Sequence, residues 1–246
     1  MAQTLTRTTL DLPPPYTLVT LRESGDAFAH ACRIAEESGA GTLVQVGRFD
    51  LVEFAVVLEP EEPLAGARRA LFAGLAAIAD AIAAHCPPEK PVEFIWPDTI
   101  LYDGALIGGG RLGWPPDCAD GEVPRWLVFG AQLIAARLAV TEAGLMPDST
   151  SLEEEGLGDG RLLIESFSRH FMVHFDAWAD RGFKPVADAY LPRLRKGKAG
   201  ERRGIDGNGD LLIHRHGAAL PERLPLGPVL AAPGWYDPAR RGPRLA

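Results

Sequence analysis

The chain has 246 residues, 46% hydrophobic and 24% charged, with a formal net charge of −8 and a pI near 5.3. That length holds one large domain, with or without a small module. The acidic balance excludes a duplex nucleic acid as main partner, because displacing phosphate counterions takes a dense basic surface, and no uncharged apolar run reaches the roughly eighteen residues of a membrane span.

In chain order, "PPPYT" closes an extended arm and "TLVTLRE" (17–23) reads as a strand. Residues 26–37 place Ala27, Phe28, Ala31, Cys32, Ile34 and Ala35 on one helical face, and Gly39 and Gly41 end that helix. "TLVQVGR" (42–48) and "LVEFAVVLEP" (51–60) are strands by their β-branched and aromatic content, joined by the short link "GRFD". A helix is predicted over 63–85, with Leu71, Leu75, Ile78 and Ile82 as one buried stripe, stopped by "CPPEKP". "VEFIW" (92–96), "TILY" (99–102) and "ALIGGGRLGW" (105–114) are further strands, the last two joined at Asp103-Gly104. Asp-Gly supplies the positive φ angles of a two-residue hairpin. "RWLVFGAQLIA" (125–135) is another strand. A long helix follows over 159–182, capped by Asp159 and striped by Leu163, Phe167, Phe171, Phe175 and Trp178. A shorter one starts at "FKPVADAYLPRL" (183–194). From 204 onward the helical period is gone, and prolines and glycines separate four or five short strands. The basic cluster "RLRKGKAGERR" (193–203) reads as a solvated linker.

Three widely spaced cysteines, Cys32, Cys86 and Cys118, suit reduced thiols in a cytoplasmic protein better than a disulfide framework. The first residues lack an apolar run followed by a cleavage site, so no signal peptide is expected.

Several phrases, in their order and spacing over about 20–235, resemble the biotin and lipoate protein ligases. "WPDTILYDGALIGGG" (96–110) is similar to that family's tryptophan-proline-asparagine-aspartate hairpin, which ends in lysine-hydrophobe-alanine-glycine. "RWLVFGAQLIA" resembles the next strand, "LRESGDAFAHACRIAEESGAGTLV" the opening strand, serine turn and first helix, and "STSLEEEG" (149–156) and "GIDGNGDLLI" follow in order. The resemblance implies an α/β (α+β) ligase-like domain, a mixed sheet with flanking helices, over residues 1–200. A small β-barrel-like module follows over 201–246.

The family's reaction joins a carboxylic acid to the α-phosphate of ATP, and a carrier-domain lysine then attacks the acyl adenylate. Two anions must meet, so the site needs concentrated positive charge and backbone donors. By resemblance a long glycine-arginine loop between the second and third strands covers the adenylate, and a lysine on the glycine strand contacts acid and phosphate. Here only Gly47 and Arg48 remain of the loop, and Ala105 stands at the lysine position. Losing one charge-stabilising group of this kind costs roughly 10²–10³ in rate.

The implied ligand-binding set is Trp96, Asp98, Gly108, Gly109, Gly110, Arg111 and Gln132, with Arg48 and Arg111 as the cations left for anion stabilisation. If Gly109 lines the pocket, alternation puts Arg111 on the same face and Gly110 on the other. Arg111 either flanks a bound carboxylate or phosphate, or caps a strand end beside an acid. Asp98 either holds a ribose hydroxyl or substrate amine, or bonds its own backbone in a turn. The triple glycine is either a ligand cradle or a close-packing site.

Other constellations are weaker. His170 and His174 have two-histidine metal spacing without the metalloprotease glutamate, and read as hydrogen-bonded histidines. "DGNGD" (206–210) imitates a calcium loop but reads as a turn, and Cys118 reads as a structural thiol before a nucleophile. The expected function is therefore a divergent ligase-like protein that binds a small carboxylic acid or acyl adenylate over an open 96–111 pocket. ATP, biotin or lipoate and a biotinyl or lipoyl carrier domain are implied by resemblance only. The alternative is a non-catalytic scaffold that docks a carrier domain or other protein.

Overall fold

The computed structural model describes residues 10–137 and 148–245. One seven-stranded mixed sheet organises them: β1 (Thr17–Leu21), β2 (Thr42–Val46), β3 (Leu51–Leu58), β4 (Val92–Ile95), β5 (Thr99–Tyr102), β6 (Ala105–Gly113) and β7 (Leu127–Ile134), in the order β1-β2-β3-β7-β6-β5-β4. Only β1 and β2 pair in parallel, joined by the crossover helix α1 (Ala27–Ser38); the other neighbours are antiparallel. Short hairpins join β2 to β3, β4 to β5 and β5 to β6, the last through Asp103 and Gly104 with φ of 50° and 83°, whereas β3 and β7 pair across the intervening elements.

Alternation gives the sheet two faces with different covers. On one, Ala27, Ala31 and Ala35 of α1 pack on Val44, Ala55, Val57 and Val128. Asp26 caps α1 by accepting from the Ala29 amide at 2.8 Å. The other face carries α3 (Ala70–Ala83), α4 (Gly160–Arg181) and α5 (Lys184–Tyr190) over Phe54, Phe129, Leu133 and Ile100. In α4 the expected aromatic stripe is a ladder of rings, Phe167–Phe171 at 4.9 Å, Phe171–Phe175 at 4.8 Å and Phe175–Trp178 at 5.7 Å.

The helix expected over 63–85 divides into α2 (Leu64–Ala67) and α3. Arg68 and Arg69 mark the break, where tighter bonds replace the α-helical ladder, among them Arg69 to Gly66 and Leu71 to Arg68. Each arginine is pulled outward by an acid, Arg68 to Asp120 and Arg69 to Glu62. α3 is also buried beyond one stripe, because its alanines and Gly74 pack as closely as its leucines. Its one charge, Asp80, is answered by His174 at 2.7 Å and Arg193 at 2.6 Å, which hold its carboxyl below the usual range despite burial.

The C-terminal β module is an open antiparallel sheet of β8 (Arg202–Ile205), β9 (Leu211–His214) and β10 (Glu222–Leu224), followed by α6 (Leu226–Leu230). Leu211, Ile213, Leu226 and Leu230 belong to the main core. Beyond α6 the chain turns back, and a small hairpin of β11 (Tyr236–Asp237) and β12 (Gly242–Pro243) lies against β6 and β7.

Gly74 sets how closely α3 approaches the sheet. A Cβ there would fall 2.2 Å from the Phe129 ring. Gly74→Ala is expected to cost about 1–3 kcal/mol through overpacking. Urea unfolding checks it, and an unchanged midpoint would show that the ring has room to yield.

Candidate functional site

The strand registers align Glu53, Gln132, Gly109 and Thr99 across β3, β7, β6 and β5, with Ala55, Gly130 and Arg111 in the next row. Directly opposed residues share a face, so Gln132, Gly109 and Arg111 lie on the α1 side of the sheet. Gly108 and Gly110 point the other way. A Cβ on Gly110 would meet Leu75 and Phe129 at 3.1 Å, and one on Gly108 would meet the Gln132 carbonyl at 2.1 Å. The triplet therefore divides, its outer members serving core packing and Gly109 facing the candidate site.

That space is filled. The indole of Trp235 lies on Gly109, where a Cβ would come within 2.4 Å of the ring. Its Nε1 donates to the Gly110 carbonyl at 3.1 Å, and Trp235 is 1% exposed. The open pocket expected over 96–111 is thus closed by the chain's own tail. Sequence reasoning missed Trp235; its signal was a large aromatic at "AAPGWYDPARRG", after the last predicted strand.

The charges around this slot neutralise one another. Arg111 lies between the rings of Phe28 (4.2 Å) and Tyr236 (4.8 Å) and pairs with Asp26 at 3.4 Å. Asp26 also faces Arg241 at 3.7 Å. Arg48 is held bidentately by Asp50, at 2.7 and 2.6 Å, and approaches Glu53 at 3.6 Å. Glu53, a charge inside the apolar run "LVEFAVVL", accepts from the Ala27 amide at 2.8 Å and anchors the start of α1; burial still pushes its carboxyl upward. Gln132 donates to the Arg241 carbonyl at 3.3 Å, while its Oε1 is buried with no partner among the described residues.

Trp96 and Asp98 lie apart from this cluster. Trp96 stacks on Phe72 at 5.4 Å, with Tyr190 at its edge. Asp98 is 1% exposed; its carbonyl accepts from the Gly110 amide at 2.9 Å and its Oδ1 from Thr99 at 3.2 Å. Its Oδ2 has no partner among the described residues, and burial pushes its pKa up to about 7. Ala105 opens β6 opposite Tyr102.

Next to the site, a groove of about 940 Å³ runs past Gly47, Arg48 and Phe49 to Arg137, Asp159 and Arg161. Arg137 there is paired with Glu154 and donates to Ser149. The remaining candidates have local partners. His170 bonds the Ser166 carbonyl and His174 bonds Asp80. Asp206 closes the 206–210 turn on the amides of Asn208 and Asp210. The Cys118 thiol faces the carbonyls of Ala119 and Glu122 and is raised, by burial and then by Glu122 and Asp117, the opposite of an activated nucleophile. No group of three metal-ligating side chains occurs among the described residues.

Residues 12–192 match the sequence profile of the Biotin/lipoate A/B protein ligase family. Among solved structures, a biotin protein ligase-like protein of unknown function from Silicibacter sp. TM1040 is 27% identical, with a TM-score of 0.75 over 89% of this chain and 97% of that one. Biotin protein ligase from Aquifex aeolicus is 14% identical, with a TM-score of 0.64 over 85% and 95%. The Leishmania major biotin protein ligase, in complex with biotin, is 18% identical, with a TM-score of 0.53 over 86% and 98%. The last two share the fold. No curated protein matches.

The buried Asp98 sets a pH dependence. Its folded pKa of about 7 lies above the ~3.9 of an unfolded aspartate. A carboxyl raised on folding contributes stability below the unfolded value, and that contribution is lost as pH rises through the folded one. Stability is expected to fall between pH 5 and pH 8 in the natural chain and to fall less in Asp98→Asn. Urea midpoints at the two pH values check this, and parallel falls would show that Asp98 is ionised throughout.

Proposed function

The chain belongs to the Biotin/lipoate A/B protein ligase family, and from that premise we propose a member that binds a small carboxylic acid or acyl nucleotide without activating it. One observation carries this reading: three of the cations at the candidate site already hold carboxylates. Arg48 is committed to Asp50, Arg111 to Asp26, and Arg137 to Glu154. A guanidinium so held meets an incoming acid and triphosphate with its charge already largely neutralised by its own carboxylate.

The lysine position offers no substitute. Ala105 carries a methyl group, and the chain's lysines are Lys90, Lys184, Lys196 and Lys198. Lys90 pairs with Glu155 and Lys184 with Asp188, while Lys196 and Lys198 line a separate hollow beside Leu191 and Arg203. Adenylation needs net positive potential where two anions converge, and the side chains here supply near balance. What remains suits binding: an open groove of about 940 Å³ and, beneath the Trp235 indole, the backbone of Gly109 and the amide of Gln132. ATP, and biotin or lipoate, are the ligand classes that family membership brings to this reading.

The seated tail favours a second reading, a scaffold that docks a biotinyl or lipoyl carrier domain and takes no small ligand. Its signature is recovery of a carrier domain by the intact chain.

ATP–pyrophosphate exchange tests the first reading. With biotin, lipoate or octanoate present, exchange is expected to stay at the protein-free background. Exchange that depends on any of these acids would overturn the loss of activation.

A further inference from the structure

We propose that the C-terminal hairpin, residues 235–244, is an intramolecular competitor for the slot over Gly109, which a ring-bearing carboxylic acid must displace to bind. This rests on the binding reading above and adds the regulation of that site.

Three observations point to an occupant and not to a core element. First, the hairpin is its own two-stranded sheet. Among the described residues β11 pairs only with β12, so the tail can leave without breaking a backbone ladder of the main sheet. The short link "AAPG" (231–234) joins it to α6. Second, few polar contacts seat it: Trp235 Nε1 to the Gly110 carbonyl at 3.1 Å, Gln132 to the Arg241 carbonyl at 3.3 Å, Arg241 to Asp26 at 3.7 Å, and the Tyr236 ring under Arg111 at 4.8 Å. Third, the tail meets the polar needs of the site incompletely. The Gln132 side chain is 2% exposed and its Oε1 has no partner among the described residues.

What the tail covers defines the ligand class. Trp235 lays a flat ring on bare backbone and gives an N–H to the Gly110 carbonyl. Tyr236 stacks on Arg111, a cation able to face a carboxylate. Beneath the tail lie a ring platform, a carbonyl acceptor, an amide and a guanidinium. A compact ring with an N–H donor and an acid group meets all of them. When only the tail-free fraction is competent, apparent affinity falls by that fraction.

The test uses the full chain with biotin and a non-hydrolysable biotinyl adenylate as probes. Calorimetry should give Trp235→Ala an affinity at least about tenfold above the natural chain, the gain expected if the tail is seated nine-tenths of the time or more. In the natural chain, saturating probe should speed exchange of the Arg244 amide, which now bonds the Trp235 carbonyl. Gly109→Ala provides a second route, since its methyl would fall 2.4 Å from the indole. It should make 231–245 protease-sensitive while the cooperative unfolding of the rest persists. Equal or weaker probe affinity in Trp235→Ala, no binding to either chain, or loss of cooperative unfolding in both variants would overturn the proposal. The pyrophosphate-exchange result is independent of all of these, so failure of the competitor and failure of the non-activating reading are separately visible.

Discussion

Close approach to bare backbone is the constraint on which this structure turns. β6 runs through the middle of the sheet, and its glycines leave both faces without side chains at that point. Toward the helices, Gly110 admits Leu75 and Phe129, and Gly74 on α3 yields to the same Phe129 ring. α3 can therefore be alanine-rich and buried nearly all round, packed at helix-to-backbone distance. Toward the other face, Gly109 offers a flat surface that only a ring can cover well. One triplet thus fixes the helical layer and creates the slot, which is why its members cannot be assigned a single role.

The electrostatics follow from what covers that slot. Asp26, Asp50 and Glu53 come from the α1 cap and from the start of β3, and Arg48, Arg111 and Arg241 meet them from the short β2–β3 link, β6 and the tail. Three of these charges are tied to a structural duty: Asp26 caps a helix, Glu53 binds the amide of Ala27, and Arg111 is clamped between two rings. Groups engaged in holding the fold change partners at a cost in stability. The pairing is therefore a property of the architecture, and it separates binding a carboxylic acid from activating one.

The strands and helices were legible because they rest on local periodicity. The stripes of α1 and α4, the Asp103-Gly104 turn and the alternation that put Gly109 and Arg111 on one face are each contained in a few consecutive residues. The break at Arg68–Arg69 was not legible, because it depends on Glu62 and on Asp120, a partner 52 residues away. Trp96 was assigned to a ligand because of its neighbours in sequence, yet Phe72 and Tyr190 claim it in space. The filling of the slot was the least legible feature. It joins residue 235 to residues 109 and 110, and no local pattern reports a contact over 125 positions.

The short β2–β3 link and the inward-turned tail belong together. The resemblance places a long covering loop where only Gly47–Asp50 now connect the strands. A hollow of about 250 Å³ lies there, bounded by Gly25 and Asp26 on one side, Arg48 and Glu53 on another, and Arg240 and Arg241 of the tail on a third. The tail thus reaches the region that a loop from β2 would cover and carries two arginines into it. A covering loop fixed at both ends closes over a ligand and stays attached. A covering hairpin outside the main sheet can occupy the ligand's own place and withdraw. On the competitor proposal, the same surface, covered by the hairpin after α6, changes from a lid that retains a substrate into a segment that contends with it.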